Sequence, residues 1–178
     1  GGGKSHFLYL IRDLAWKNNY VTSYVSLSAT ECPFDRLELV YRNIALNITP
    51  PLSTVEILKP WEVGIEALLR KWYEQVKEEK NFLSLIKNLE STSFVNATKG
   101  ALSGLSNDDE ELFYSLAQWL KGEDISRDLK YKYRISERID RTNAFRMLRS
   151  LVQFINLIGY SGIIFLFDEA ERGMSISS

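Results

Sequence analysis

Apolar residues along this chain recur at two periods, and the period changes mark the predicted elements. Phe7, Leu10, Ile11 and Leu14 fall at helical spacing, and Asn18-Asn19 closes that helix. The run from Tyr20 to Leu27, rich in Val, Tyr and Thr, predicts a strand. From Pro33 the spacing is helical again, with Phe34, Leu37, Tyr41, Ile44 and Ile48 on one face until Pro50-Pro51 ends it. Pro60 opens a longer predicted helix whose stripe is Trp61, Ile65, Leu68, Leu69, Trp72 and Val76, up to the charged Lys77-Glu78-Glu79-Lys80. A shorter amphipathic segment follows at Phe82, Leu85, Ile86 and Leu89. The stretch from Ser91 to Ser106, rich in Ser, Thr, Gly and Asn, reads as a mobile connection or weak helix.

Asn107 can cap the next helix, whose acidic first turn Asp108-Asp109-Glu110-Glu111 suits the helix dipole and which Gly122 can end. Thr142 can cap a last helix through Phe145, Leu148, Leu151, Val152, Ile155 and Ile158, with Gly159 as its stop. The unbroken run Gly162-Ile163-Ile164-Phe165-Leu166-Phe167 predicts a strand buried on both faces, as in a parallel sheet covered by helices. Aromatic positions on these stripes, the tryptophans included, are read as core. About 134 residues (28 to 161) separate the two long strands, whereas a crossover needs only about a dozen. The expected organisation is therefore a strand-bearing core from 1–32 and 159–178, with a helical insertion at 33–158.

The two ends of that core carry the chemistry. Gly1-Gly2-Gly3-Lys4-Ser5 matches the end of the phosphate-binding loop G-x-x-x-x-G-K-[ST], and the chain is expected to be a piece of a longer protein whose loop begins earlier. Glycines allow backbone N–H groups to approach phosphate oxygens, and the following helix adds the positive end of its dipole. In that loop Lys4 places a charge at the β- and γ-phosphates, and the Ser5 hydroxyl is a ligand for Mg²⁺, which prefers oxygen. At the other end the apolar strand runs into Asp168-Glu169-Ala170-Glu171. Carboxylates at the C-terminal end of a parallel strand lie where open α/β sheets bind ligands. Asp168 has the place of a Walker B aspartate and metal ligand, and Glu169 that of the group polarising an attacking water. The predicted fold class is thus α/β, a P-loop NTPase core with an incomplete parallel sheet and a large, mostly helical insertion. Ser28 and Glu31, after the first strand, would reach the same sheet edge, though a hydrogen-bonded turn is the simpler role.

Composition narrows the field. The 178 residues are 45% hydrophobic and 25% charged, enough for one sizeable core. No apolar run reaches the roughly 18 residues of a membrane span, and no secretory signal is visible. The single cysteine, Cys32, rules out an intramolecular disulfide framework and fits a reducing compartment, so a cytoplasmic location is expected. His6 is the only histidine, which removes zinc sites and Ser-His-Asp chemistry from consideration and leaves His6 as a helix N-terminal residue near the nucleotide or packed under the loop. With 22 basic and 23 acidic side chains, a net charge of -1 shows no nucleic-acid footprint. The densest basic stretch, Lys130-Tyr131-Lys132-Tyr133-Arg134 continuing to Arg138, Arg141, Arg146 and Arg149, could contact a nucleic-acid backbone and stack on bases, but Asp128, Glu137 and Asp140 interrupt it and a solvated helical surface is the simpler reading.

Gly2-Gly3-Lys4-Ser5-His6-Phe7-Leu8, the strand Val21 to Ser28, Trp119-Leu120-Lys121-Gly122-Glu123, and Gly159-Tyr160-Ser161-Gly162 leading into Phe167-Asp168-Glu169-Ala170-Glu171 together resemble the ATP-binding proteins of BREX bacteriophage-exclusion systems. That family is distantly similar to AAA+, origin-recognition and STAND ATPases. The resemblance implies ATP and Mg²⁺ as cofactors, and action within a larger defence complex with protein partners, with DNA and self-association among the expectations. It makes Lys4 the P-loop lysine, Ser5 the Mg²⁺-binding hydroxyl, Asp168 the Walker B aspartate and Glu169 its catalytic neighbour, so Lys4 and Glu169 are the expected catalytic residues and Ser5 and Asp168 the metal ligands; the loop motif itself puts Gly1, Gly2, Gly3, Lys4, Ser5 and His6 at the nucleotide. Arg172 and the Arg138 to Arg149 group are loose candidates for an arginine finger. Two alternatives stay open: a DNA translocase or helicase, since Asp168-Glu169-Ala170-Glu171 also resembles a helicase motif, and a scaffold that binds nucleotide without hydrolysing it.

Overall fold

The strand predicted at Tyr20–Leu27 (β1) is the centre of the sheet. It runs parallel to β3 (Gly162–Glu169), in register from Tyr20 opposite Gly162 to Leu27 opposite Glu169. On its other side it meets a short antiparallel β2, Ile48–Thr49. The structure is a computed structural model and describes residues 2–53 and 58–169.

Alternation along β1 assigns its two faces. Thr22 and Tyr24 face α1 (Gly2–Lys17), where the Trp16 indole N–H donates to the Thr22 hydroxyl at 2.9 Å. Val21, Ser23 and Val25 face α2 (Leu37–Asn47), and the buried Ser23 hydroxyl donates to the Ile44 carbonyl at 2.8 Å. Helices therefore cover both faces of the parallel pair, the arrangement that parallel strands require. One apolar cluster joins Val21 and Val25 to Trp72 of α3 (Ile65–Val76), Phe94 of α4 (Thr92–Ser106), Phe113 and Trp119 of α5 (Glu110–Leu120), and Phe154 of α7 (Ala144–Leu157). The rings of Trp72 and Phe154 meet edge to face at 6.1 Å.

Several expectations are corrected here. The stretch expected as a mobile connection or weak helix, 91–106, holds α4 (Thr92–Ser106), a firm 15-residue helix capped by Ser91, whose hydroxyl accepts the Phe94 N–H at 3.1 Å. Its small residues are packing residues: a Cβ on Gly104 would lie 2.8 Å from the Phe113 nitrogen and 2.9 Å from the Asp109 carbonyl oxygen. Only glycine lets α4 and α5 approach this closely. The helix expected from Pro60 is a 3₁₀ turn, Pro60–Glu62, then a break at Gly64 with φ +103°, then α3. Trp61 is accordingly 71% exposed rather than core. Phe82–Leu85 is likewise only a 3₁₀ turn.

The apolar stripe predicted to bury α1 points outward: Phe7, Leu10 and Leu14 are each more than half exposed, because Ser5, Tyr9, Arg12 and Trp16 take the sheet-facing side. β3 is half-buried along much of its length rather than buried on both faces, since among the described residues it pairs only with β1. The cap of α5 is Asp109, whose carboxylate accepts the Leu112 N–H, and not Asn107. At α7 the Ncap position falls to Asn143, while Thr142 donates to Asp140 at 2.6 Å. A short sixth helix, α6 (Arg127–Lys132), carries only the start of the basic stretch, where Tyr131 is 88% exposed; Arg134, Arg138 and Arg141 lie outside helices, and Arg146 and Arg149 are on α7.

Candidate functional site

Both strands of the parallel pair begin at one tied corner. Asn19, at φ +63°, donates its side-chain N–H to the Gly159 carbonyl at 3.0 Å, and its own carbonyl accepts the Ser161 N–H at 2.9 Å. The Ser161 hydroxyl donates to the Asn18 carbonyl at 3.1 Å. Gly159 is also left-handed, at φ +101°, a conformation that favours glycine. With these starts pinned, eight residues of matched register bring Ser26 opposite Asp168 at the C-terminal edge. Because α1 runs back along the sheet from that edge, its first turns lie beside Asp168.

The two ends of the sequence meet there. The Ser5 hydroxyl donates to Asp168 Oδ2 at 3.2 Å across 163 residues of chain. Lys4 Nζ stands 3.9 Å from Asp168 Oδ1, with its side chain more than half exposed and free to swing toward a ligand. A third partner was not foreseen in the sequence: the Tyr24 hydroxyl donates to the same Oδ2 at 2.8 Å. Its signal is the period of β1, which puts Thr22, Tyr24 and Ser26 on the α1 face, so a tyrosine two residues before the register partner of Asp168 can reach it. The Tyr24 ring stacks on Tyr9 with centroids 5.3 Å apart. Burial, and then the carboxylate that accepts its proton, push the Tyr24 phenol up to about 12, so it remains a donor at physiological pH.

Alternation sends Glu169 to the opposite face. It lies, exposed, at a cavity of about 350 Å³ whose wall includes Leu27, Ser28, Cys32, Pro33 and Phe34. Ser28 takes the expected turn role: its hydroxyl accepts the Glu31 N–H at 3.0 Å and the Cys32 N–H at 3.3 Å. Gly2 and Gly3 lie in the first turn of α1, and a Cβ on either would meet nothing within 4 Å, so no contact in the fold explains them as glycines. His6 is exposed on α1, and its side chain makes no hydrogen bond or ion pair among the described residues. Gly1, Ala170, Glu171 and Arg172 lie outside the described residues.

A family model described as BREX system ATP-binding protein BrxC/D matches residues 1–178. The chain belongs to this BREX ATP-binding family. No curated protein and no solved structure matches it. The other segments through which the chain resembles the family hold architecture. Trp119 is fully buried and donates its indole N–H to the Glu137 carbonyl at 3.0 Å; the Leu120 carbonyl accepts the buried Tyr41 hydroxyl at 2.6 Å; Gly122, at φ +92°, ends α5; and Glu123 pairs with Arg42 at 2.9 Å. Gly159-Tyr160-Ser161-Gly162 is the corner that sets the register of β3 against β1.

The donor set at Asp168 fits a small divalent cation with phosphates. Among the described residues no three His, Cys, Asp or Glu side chains cluster, and the protein oxygens that converge are those of Ser5 and Asp168 beside the Tyr24 hydroxyl. Two protein oxygens are a normal complement for Mg²⁺, which completes its octahedron with phosphate oxygens and waters. No described helix is long and apolar enough to cross a membrane.

Proposed function

We propose that this chain carries the nucleotide site of an Mg²⁺-dependent ATPase with a P-loop core, spanning 1–32 and 159–178, and a helical insertion at 33–158. The convergence of Lys4, Ser5 and Asp168 at the end of the parallel pair carries this reading, because residues at opposite ends of the sequence meet in the order the chemistry needs. Membership of an ATP-binding family points to ATP as the nucleotide. Bound there, Mg²⁺ would neutralise charge on the β- and γ-phosphates and orient them. Lys4 would supply a mobile cation for the same phosphates, and the Ser5 hydroxyl oxygen would be a ligand for the metal. The N-terminal turns of α1 add the positive end of a 16-residue helix. Glu169, exposed one residue beyond Asp168 at the C-terminal end of β3, is the group that would accept a proton from the attacking water.

On this reading the protein works as a nucleotide-driven switch or motor in a larger anti-phage complex, in the cytoplasm and with protein partners. ATP turnover by the intact protein tests it. Lys4→Ala and Glu169→Gln should each lower turnover at least about a hundredfold, as expected on losing a phosphate-binding charge or a general base. Full turnover in both variants would refute it. Tight ATP binding by the wild type without turnover would favour a scaffold, and stimulation by DNA with strand displacement would favour a translocase.

A further inference from the structure

The geometry points to Tyr24 as a positioning residue for Asp168, one that holds the carboxylate in place when Mg²⁺-nucleotide is bound. The inference rests on the nucleotide reading above and adds to it a residue outside both motifs. Among the described residues Asp168 has three side-chain partners, and two of them are groups that a ligand recruits. Lys4 at 3.9 Å would be drawn to the phosphates, and Ser5 at 3.2 Å would turn its oxygen to the metal. Tyr24, at 2.8 Å, belongs to neither the phosphate loop nor the metal shell. It sits instead on the central strand, hydrogen-bonded to a strand on either side, so its backbone has little freedom to follow a ligand.

Its side chain is braced as well. The Tyr24 ring lies nearly parallel to Tyr9, 19° between planes, and the Arg12 guanidinium stands 4.8 Å over Tyr9 and 4.6 Å over Trp16. Arg12 Nε is buried without a hydrogen-bond partner, so its cation is held there by the rings and by Asp13 at 3.6 Å. This column of α1 side chains ends at Trp16, whose indole N–H is bonded to Thr22 on the same face of β1 as Tyr24. A carboxylate with one fixed donor on Oδ2 presents Oδ1 in a single direction, and rotation of Asp168 away from the metal would break the Tyr24 bond. The same bond leaves Mg²⁺-free nucleotide untouched, because Lys4 and the helix N-terminus bind phosphate without Asp168.

The test is a double-mutant cycle on the intact protein, read as the ratio of ATP dissociation constants measured without and with Mg²⁺. Tyr24→Phe keeps the ring and its stacking while removing the donor. The expected result is a roughly tenfold smaller Mg²⁺ gain, the size of one hydrogen bond to a charged group, with Mg²⁺-free affinity unchanged within about twofold. In an Asp168→Asn background the same substitution should change the gain by less than about twofold, because Tyr24 acts through Asp168. An undiminished gain in Tyr24→Phe overturns the inference, as does an equal loss with and without Mg²⁺ or full additivity with Asp168→Asn. A wild type whose affinity Mg²⁺ does not raise overturns the nucleotide reading itself, and this inference with it.

Discussion

Gly104→Ala separates two accounts of the α4 segment and its magnitude follows from the structure. On an exposed helix this change stabilises by about 1 kcal/mol through helix propensity. Here the new Cβ meets only main chain: the Phe113 nitrogen at 2.8 Å, the Asp109 carbonyl oxygen at 2.9 Å and the Phe113 Cα at 3.2 Å. None of these is the end of a flexible side chain, so the first turn of α5 must move outward, loosening the bond from the Asp109 N–H to the Gly104 carbonyl at 2.8 Å. With two main-chain contacts under 3.0 Å, this overpacking falls in the upper part of the usual range, about 2–3 kcal/mol. Against the propensity gain, a net loss of about 1–2 kcal/mol is expected, or roughly 2–8 °C in Tm for a domain of this size. Thermal unfolding followed by circular dichroism measures it. Gly3→Ala is the matched comparison, because its Cβ meets nothing within 4 Å and the propensity term acts alone, so Tm should hold or rise. An unchanged or raised Tm in Gly104→Ala would refute the close approach of α4 and α5.

Phe154→Ala, which removes a fully buried ring in contact with Trp72 and Phe94, should cost about 3–5 kcal/mol by denaturant unfolding, whereas Trp61→Ala should cost under about 1 kcal/mol because Trp61 is 71% exposed. Tyr41→Phe leaves the buried Leu120 carbonyl without its donor and should lower stability by about 1–2 kcal/mol in the same assay. Cys32 is 2% exposed and burial pushes its thiol up, so a thiol reagent at pH 7.5 should label it slowly in the native protein and rapidly after denaturation; equal rates would contradict its placement. Arg149→Ala breaks an exposed pair with Glu90 and should leave the denaturant midpoint almost unchanged, with any difference shrinking as salt is added.

How much of this was legible depended on which force shaped each element. β1 was read to the residue because its aromatic and β-branched run has no competing period. The start of β3 and the meeting of Ser5 with Asp168 followed from motifs whose residue types are set by chemistry rather than packing. What failed was inference of burial from composition. The small polar residues of 91–106 suggest a mobile connection or weak helix, yet Ser93, Thr98, Gly100 and Gly104 are buried, where small size is what the neighbouring helix demands. Phe7, Leu10 and Leu14 looked like a core stripe, but the polar Ser5 and the rings of Tyr9 and Trp16 won the sheet face through hydrogen bonds and stacking that periodicity does not register. Tyr24 was missed because its role exists only in the register between two strands far apart in sequence.

The most direct test of the central claim is a structure of the intact protein with Mg²⁺ and a non-hydrolysable ATP analogue. The account predicts a metal within about 2.1 Å of the Ser5 hydroxyl oxygen, next to Asp168, with the terminal phosphate at Lys4. A nucleotide bound away from Lys4, Ser5 and Asp168 would contradict it.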